Sequence, residues 1–195
     1  MIPNFIRLGI ETILRIFCEK IIIKDIQIFN KNCKFNEKID ELYIKAENII
    51  FNKINISNIN IKIKDINLKL KFNKNFFVED CDATIFIRLT EDNINKTLLN
   101  KKWNRLKTSI ESFISMSFQN IEIKNKSIYF TTTDKLSNAT NSQYTLEYDK
   151  NTISLVNNIY EQKFSILNDK NIIVNNLLFN ESYIELELTS TIIFN

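Results

Sequence analysis

The chain has 195 residues and a formal net charge of +3, from 26 basic and 23 acidic side chains. It contains no His and a single Gly, so it lacks the commonest general base and zinc ligand and cannot form a glycine-rich phosphate loop. Its three cysteines are an odd number at wide, irregular spacing, which fits neither a metal knuckle nor a disulfide scaffold. We therefore expect no metal and no cofactor.

Residues 4 to 20 predict a helix whose apolar side chains cover most of its circumference. Arg7, Glu11 and Arg15 form its one narrow polar stripe. Such a helix packs into a protein core or lies in a membrane surface, and a charge every four residues argues against a spanning segment. We favour core docking. Because the segment also lacks the features of a signal peptide, we expect a cytoplasmic or peripheral membrane location.

Alternating apolar and polar residues predict strands from residue 21 to residue 89. The clearest run covers residues 54–72, where the alternation slips at Ser57–Asn58 and again at Lys64–Asp65. Each slip predicts either a tight turn or a β-bulge. The polar residues on the opposite face indicate an antiparallel or mixed sheet with one face in water.

The stretch from residue 82 to residue 103 joins a strand directly to a helix. Alternation ends at Thr90, after which apolar side chains recur at helical spacing. Thr90 is placed to cap this helix, because its hydroxyl oxygen can accept a hydrogen bond from the amide three residues on. Glu91 and Asp92 follow at the positive end of the helix dipole. A second stretch of helical spacing extends the predicted helical segment to residues 90–118.

Short alternating runs separated by turn residues predict further strands over residues 119–195, with a polar loop at 134–142. No linker or repeat divides the chain, which indicates a single domain over residues 1–195. The predicted class is α+β. A mainly antiparallel sheet is accompanied by an N-terminal helix within residues 1–20 and by one or two mid-chain helices.

This order of elements resembles the LmeA-like phospholipid-binding family, particularly its cyanobacterial members. In that family an alternating strand runs into a turn and helix of the form Leu-Thr-Glu-x-Asp-Leu-Asn. Here the corresponding residues, 89–95, read Leu-Thr-Glu-Asp-Asn-Ile-Asn, and the paired strands before them are similar in pattern. The resemblance implies a tubular lipid-binding type of fold. In such a fold a strongly curved antiparallel sheet wraps around the helices and encloses an apolar groove for acyl chains, without enzymatic activity.

Apolar stripes on the predicted helices and strands, read with this resemblance, supply candidate residues for the groove. They are Ile10, Leu14, Phe17, Ile85, Ile87, Leu98, Ile110 and Ile114. The alternative for the same residues is an ordinary packed core, in which each buried side chain contributes about 1.5–3 kcal/mol. An open groove forgoes part of that stabilisation and needs a ligand to fill it.

Five cations surround the only tryptophan, Trp103. They are Lys96, Lys101, Lys102, Arg105 and Lys107. An indole beside several cations suits the headgroup region of an anionic membrane, so phospholipid and an anionic membrane surface are the expected partners. The alternative is a solvated helix end, where cations favour the negative end of the dipole.

Three other functions remain open for this segment and this chain. A nucleic-acid-binding module would use the same basic and aromatic residues, although the small net charge argues against it. A protein-interaction module would use them as well. A lipid hydrolase without His would need a serine or carboxylate mechanism, and no residue stands out for one.

Overall fold

The computed structural model describes residues 4–30, 38–70, 76–78, 81–131 and 143–192. These residues form the helices α1 Asn4–Phe17, α2 Glu91–Leu98 and α3 Asn104–Ile114, with a short 3-10 helix at Lys101–Trp103. The strands are β1 Cys18–Phe29, β2 Lys38–Phe51, β3 Ile54–Leu70, β4 Phe76–Val78, β5 Cys81–Thr90, β6 Asn120–Lys124, β7 Ser127–Thr131, β8 Tyr144–Asp149, β9 Thr152–Asn157, β10 Gln162–Asn168, β11 Ile172–Phe179 and β12 Tyr183–Ile192. The predicted loop at 134–142 lies outside the described residues.

The strands form two antiparallel sheets. Sheet 1 has the order β1-β2-β3-β5-β12-β11, with β4 paired to β3, and sheet 2 has the order β10-β9-β8-β7-β6. The predicted α+β class and antiparallel pairing are therefore confirmed. The expected single, strongly curved sheet around the helices is wrong, because neither sheet is strongly curled and α1 packs on the edge strand β1. Of the strands after α3, β6 to β10 form sheet 2 among themselves, whereas β11 and β12 join sheet 1 beside β5.

The strand β3 runs through both slips of the apolar alternation without a turn. Its register with β2 is unbroken from Asn67 back to Ile54. At each slip a residue with a left-handed backbone takes up the irregularity. At the first slip it is Asn48 of β2, with φ 51°, which lies opposite Ser57 of β3. At the second slip it is Asp65 of β3 itself, with φ 55°. Asn and Asp tolerate this conformation better than other residues with side chains. Phe72, predicted to continue the run, lies outside the described residues.

The apolar face of sheet 1 is covered at its two ends. At one end Ile6, Ile10 and Leu14 of α1 pack against a buried cluster on β1, β2 and β3. At the other end sheet 2 covers β11 and β12, where Ile153 packs with Val174 and Leu188. The apolar side chains between these ends, on β3 and β5, are half-buried; they are Ile59, Ile61, Ile63, Ile85 and Ile87. We call these five residues the middle strip.

The helix α2 begins as the sequence predicts. The backbone amide of Asn93 donates to the Thr90 hydroxyl oxygen at 3.3 Å, and the Asn93 side-chain oxygen accepts from the Thr90 amide at 3.0 Å. This reciprocal capping satisfies two amides that a helix start would otherwise leave unpaired. The same Asn93 oxygen accepts from the Ser57 hydroxyl at 2.5 Å, so the cap also fastens α2 to β3.

Two other side chains of α2 bind the edge strand of sheet 2. Asn95 accepts from the amide of Ile121 at 2.7 Å and donates to its carbonyl oxygen at 2.9 Å, as a neighbouring strand would. One turn earlier, Glu91 accepts from the amide of Ile123 at 2.7 Å. The helix therefore stands in for a strand beside β6 and joins the two sheets.

Replacing Asn95 with Leu should destabilise the protein because it leaves both backbone groups of Ile121 without their partner. Each such buried group costs about 1–3 kcal/mol, so we expect a loss of roughly 2–4 kcal/mol in the free energy of unfolding. Urea denaturation followed by circular dichroism measures it. Asp92→Asn is the control: it breaks only an exposed ion pair with Lys96 on the same helix and should cost less than about 1 kcal/mol. Equal losses in the two variants would contradict the bridging role of Asn95.

Candidate functional site

An apolar cavity of about 340 Å³ lies between the two sheets, beneath α2, the 3-10 helix and α3. Its lining is Ile54, Asn55, Leu89, Ile94, Thr97, Leu98, Trp103, Leu106, Ile110, Ile121, Ile128, Phe130, Leu146, Ile153, Leu155, Ile166, Leu167, Ile184 and Leu186. Both sheets and all three mid-chain helical segments contribute to this wall. Almost every lining side chain is a hydrocarbon, so the cavity suits an apolar ligand.

Polar groups in the cavity wall are largely engaged with protein. The Thr97 hydroxyl accepts from the backbone amide of Asn55 at 2.9 Å and donates to the carbonyl oxygen of Asn93 at 2.8 Å. The indole nitrogen of Trp103 donates to the carbonyl oxygen of Asn52 at 3.3 Å. Among the described residues, no buried side-chain nitrogen or oxygen atom lacks a hydrogen-bond partner. Binding inside the cavity would therefore depend on hydrophobic contact.

Three of the eight predicted groove residues meet at this cavity. Leu98 and Ile110 line it, and Ile114 belongs to the same buried cluster one turn further along α3. Helical spacing explains why α3 presents Ile110 and Ile114 to the same side.

The other five predicted groove residues lie elsewhere. Ile85 and Ile87 belong to the middle strip, where they also pack toward the cluster at Ile153. Ile10 and Leu14 pack on β1 and β2 beneath α1, and the side chain of Phe17 is 67% exposed. The eight residues therefore do not form one continuous lining.

Sequence reasoning missed the half of the cavity that sheet 2 supplies. Phe130, Leu146, Leu155 and Ile166 face α3 from four neighbouring strands. Their alternation with polar residues predicts an apolar face, but no local signal says which helix that face meets. The required information is the pairing order of β7 to β10, which depends on contacts distant in sequence.

Two of the predicted cations have acidic neighbours. Lys96 forms an ion pair with Asp92 at 2.6 Å. Lys107 lies 3.9 Å from a carboxylate oxygen of Glu111 and 5.3 Å from the ring centre of Phe118. Each of these two cations therefore has a carboxylate beside it, so Lys96 and Lys107 attract an anion less than a cation without such a neighbour.

The remaining cations lie around Trp103 and form no ion pair with a carboxylate among the described residues, although Lys102 lies close enough to Glu19 to act on its carboxyl. Lys101, Lys102 and Arg105 are exposed, and the Lys102 ammonium donates to the side-chain oxygen of Asn52. Since the Trp103 indole also binds Asn52, one turn residue holds both side chains in place. This group places a net positive charge beside Trp103, which lines the apolar cavity.

The turn between β2 and β3 connects this group to the start of β1. Asn52 and Lys53 both have a left-handed backbone, with φ 52° and 66°. Lys53 forms an ion pair with Glu19, and its hydrogen bond holds the pKa of the Glu19 carboxyl below its usual value. The positive charge of Lys102 lowers this pKa further. The Glu19 carboxyl beside this turn is therefore already matched by the charges of Lys53 and Lys102.

A second depression, of about 440 Å³, lies on the polar face of sheet 1. Arg88 there forms a 2.6 Å ion pair with Glu185 and lies 4.5 Å from the ring centre of Tyr183, and Glu47 pairs with Lys24 at 2.9 Å. These charges are already satisfied by protein partners. We therefore take the apolar cavity as the candidate site.

Comparison of the chain with known protein families, with curated proteins and with solved structures found no match. None of the helices in the described ranges has the length and apolar character needed to cross a membrane.

Thr97 offers a test of how the cavity wall is built. Thr97→Val should lower the free energy of unfolding by about 1–3 kcal/mol, because the amide of Asn55 loses its acceptor in a half-buried position. Thr97→Ser keeps the hydroxyl and should cost about 1 kcal/mol at most. Chemical denaturation followed by Trp103 fluorescence measures both. A serine variant as unstable as the valine variant would show that the methyl group, not the hydrogen bond, stabilises this wall.

Proposed function

We propose that this chain is a non-enzymatic lipid-binding protein that holds an acyl chain in the apolar cavity. The observation that carries the proposal is the near-absence of polar groups from a cavity of about 340 Å³. Ligand pockets in proteins span about 300–1,000 Å³, so this cavity suits one chain rather than a whole diacyl lipid. Phospholipid is the proposed ligand class.

The free energy of an unfilled cavity supports an occupant. The apolar wall of a cavity without ligand stays in contact with water, at about 25 cal/mol for each Å² of apolar surface. A hydrocarbon ligand removes this cost by making the contacts that the wall otherwise lacks.

The middle strip provides a surface for a second acyl chain. Leu89 lines the cavity and packs in the same cluster as Ile59 and Ile87, so the strip and the cavity share a boundary. All five strip residues remain half-buried in the described structure. A chain lying along them would remove apolar surface from water at about 25 cal/mol per Å².

The phosphate of such a lipid would lie beside Trp103. Lys101, Lys102 and Arg105 are exposed there, and Trp103 itself lines the cavity. Charge-assisted hydrogen bonds from ammonium and guanidinium groups are the usual protein contacts to phosphate. The proposed headgroup site and the proposed chain site are therefore adjacent. Leu89 and Ile94 line the cavity, so the segment that resembles the LmeA-like family forms part of the proposed site.

Native mass spectrometry of the purified protein, with lipid analysis of an organic extract, tests this function directly. We expect a stoichiometric lipid adduct. Bare protein after purification, with no adduct on adding phospholipid, would contradict the proposal.

A cavity-filling variant locates the ligand. Ile166→Trp projects extra volume from β10 into the cavity and displaces about two methylene groups of ligand, a roughly tenfold loss of affinity. Ile23→Trp is the matched control, because Ile23 is equally half-buried but packs beneath α1, away from the cavity. Competitive lipid loading, read by the same mass measurement, should show the loss in the first variant alone. Equal losses in both variants would place the ligand elsewhere.

A further inference from the structure

Three segments distant in sequence meet at one edge of the molecule. The chain leaves α1 at Phe17, and the next residue, Cys18, pairs with Phe51 at the end of β2. The turn that follows Phe51 binds the 3-10 helix through Asn52, as described above. The end of α1, the β2–β3 turn and the segment 99–105 are therefore neighbours. We call these three segments together the docking edge.

Large apolar side chains project from every segment of the docking edge. Ile16 is 74% exposed, Phe17 67%, Leu99 62% and Phe51 45%. A single exposed apolar residue needs no explanation, but several on adjoining segments mark an interaction surface. The helix α1 packs on sheet 1 through a different face, so Ile16 and Phe17 are not needed for its packing.

The charge of the docking edge is positive. Lys101 and Arg105 have no carboxylate partner among the described residues, and the carboxyl of Glu19 at the start of β1 is paired with Lys53 and also lies near Lys102. The edge thus presents exposed hydrocarbon together with net positive charge. That combination is characteristic of segments that lie in the interface of an anionic membrane.

We infer that the docking edge binds the surface of an anionic lipid bilayer. Nucleic acid would also meet the cations and could stack on Phe17 and Phe51, but it would leave the aliphatic side chains of Ile16 and Leu99 in water. The acyl boundary of a bilayer accepts all four of these apolar side chains. Trp103 belongs both to this edge and to the cavity wall, so docking would bring the cavity against the membrane. The inference goes beyond lipid binding in the cavity, because docking requires no ligand there.

Vesicle flotation tests the charge of the edge. We expect the protein to float with vesicles of phosphatidylserine and phosphatidylcholine in equal amounts, less so as salt is raised, and weakly with phosphatidylcholine alone. The triple variant K101Q/K102Q/R105Q should lower the partition coefficient by roughly fivefold for each cation removed. The matched control is K124Q/K126Q/K150Q, which removes the same charge from exposed turns of sheet 2. An equal effect in the two triple variants would overturn the inference.

A second pair of substitutions tests the apolar part. I16S/L99S should weaken flotation while leaving its salt dependence in place, because the cations remain. Both side chains are mostly exposed, so the folded protein should retain its circular dichroism spectrum. Unchanged flotation would overturn the inference, as would tighter binding of a single-stranded oligonucleotide than of the vesicles. Lipid retained in native mass spectra of a variant that no longer floats would separate a failure of docking from a failure of cavity binding.

Discussion

The arrangement of the two sheets depends on the pair of hydrogen bonds between the Asn95 side chain and the backbone of Ile121, together with the packing of Ile153 on Val174 toward the other end of sheet 2. The Asn95 contact gives the edge strand β6 a partner that is a helix rather than another strand. Because α2 follows β5 directly and is also fastened to β3, sheet 2 is held at a fixed distance from sheet 1. The space left between them is the apolar cavity. The cavity is therefore a consequence of how the sheets are joined, and its volume is set by the side chains that α2 and α3 place between them.

The segment 89–95 combines three tasks in seven residues. Thr90 and Asn93 begin the helix, and Glu91 and Asn95 bind sheet 2. Leu89 and Ile94 face the cavity. Residues three or four apart share a face of a helix, so Glu91 and Asn95 lie together toward sheet 2 while Ile94 faces the cavity. The amide, hydroxyl and carboxylate side chains of this segment thus hold the helix in position, and its apolar side chains line the cavity.

Local patterns were sufficient for the elements and insufficient for their assembly. The capping role of Thr90 followed from the change of period at that residue, and the strands followed from alternation. The split into two sheets did not, because alternation on β6 and β12 looks the same whether they join one sheet or two. Likewise, Leu98 and Ile110 were found as apolar helix positions, whereas Leu146 and Ile166 could not be assigned to the cavity without the pairing order. Sequence predicted five cations around Trp103, but only geometry distinguishes Lys96 and Lys107, which pair with carboxylates, from the three that form no ion pair among the described residues.

The turns of this protein show where its stability can still be increased. Nine described residues have a positive φ, and none of them is glycine. Asn48, Asn52 and Asn125 tolerate that backbone, but Lys126, Lys150 and Glu161 adopt it at a cost of roughly 1–2 kcal/mol each. Glycine at such a position relieves the steric cost while adding flexibility to the unfolded chain, which offsets part of the gain. Substitutions at these hairpin turns could therefore raise the free energy of unfolding without altering the core or the cavity.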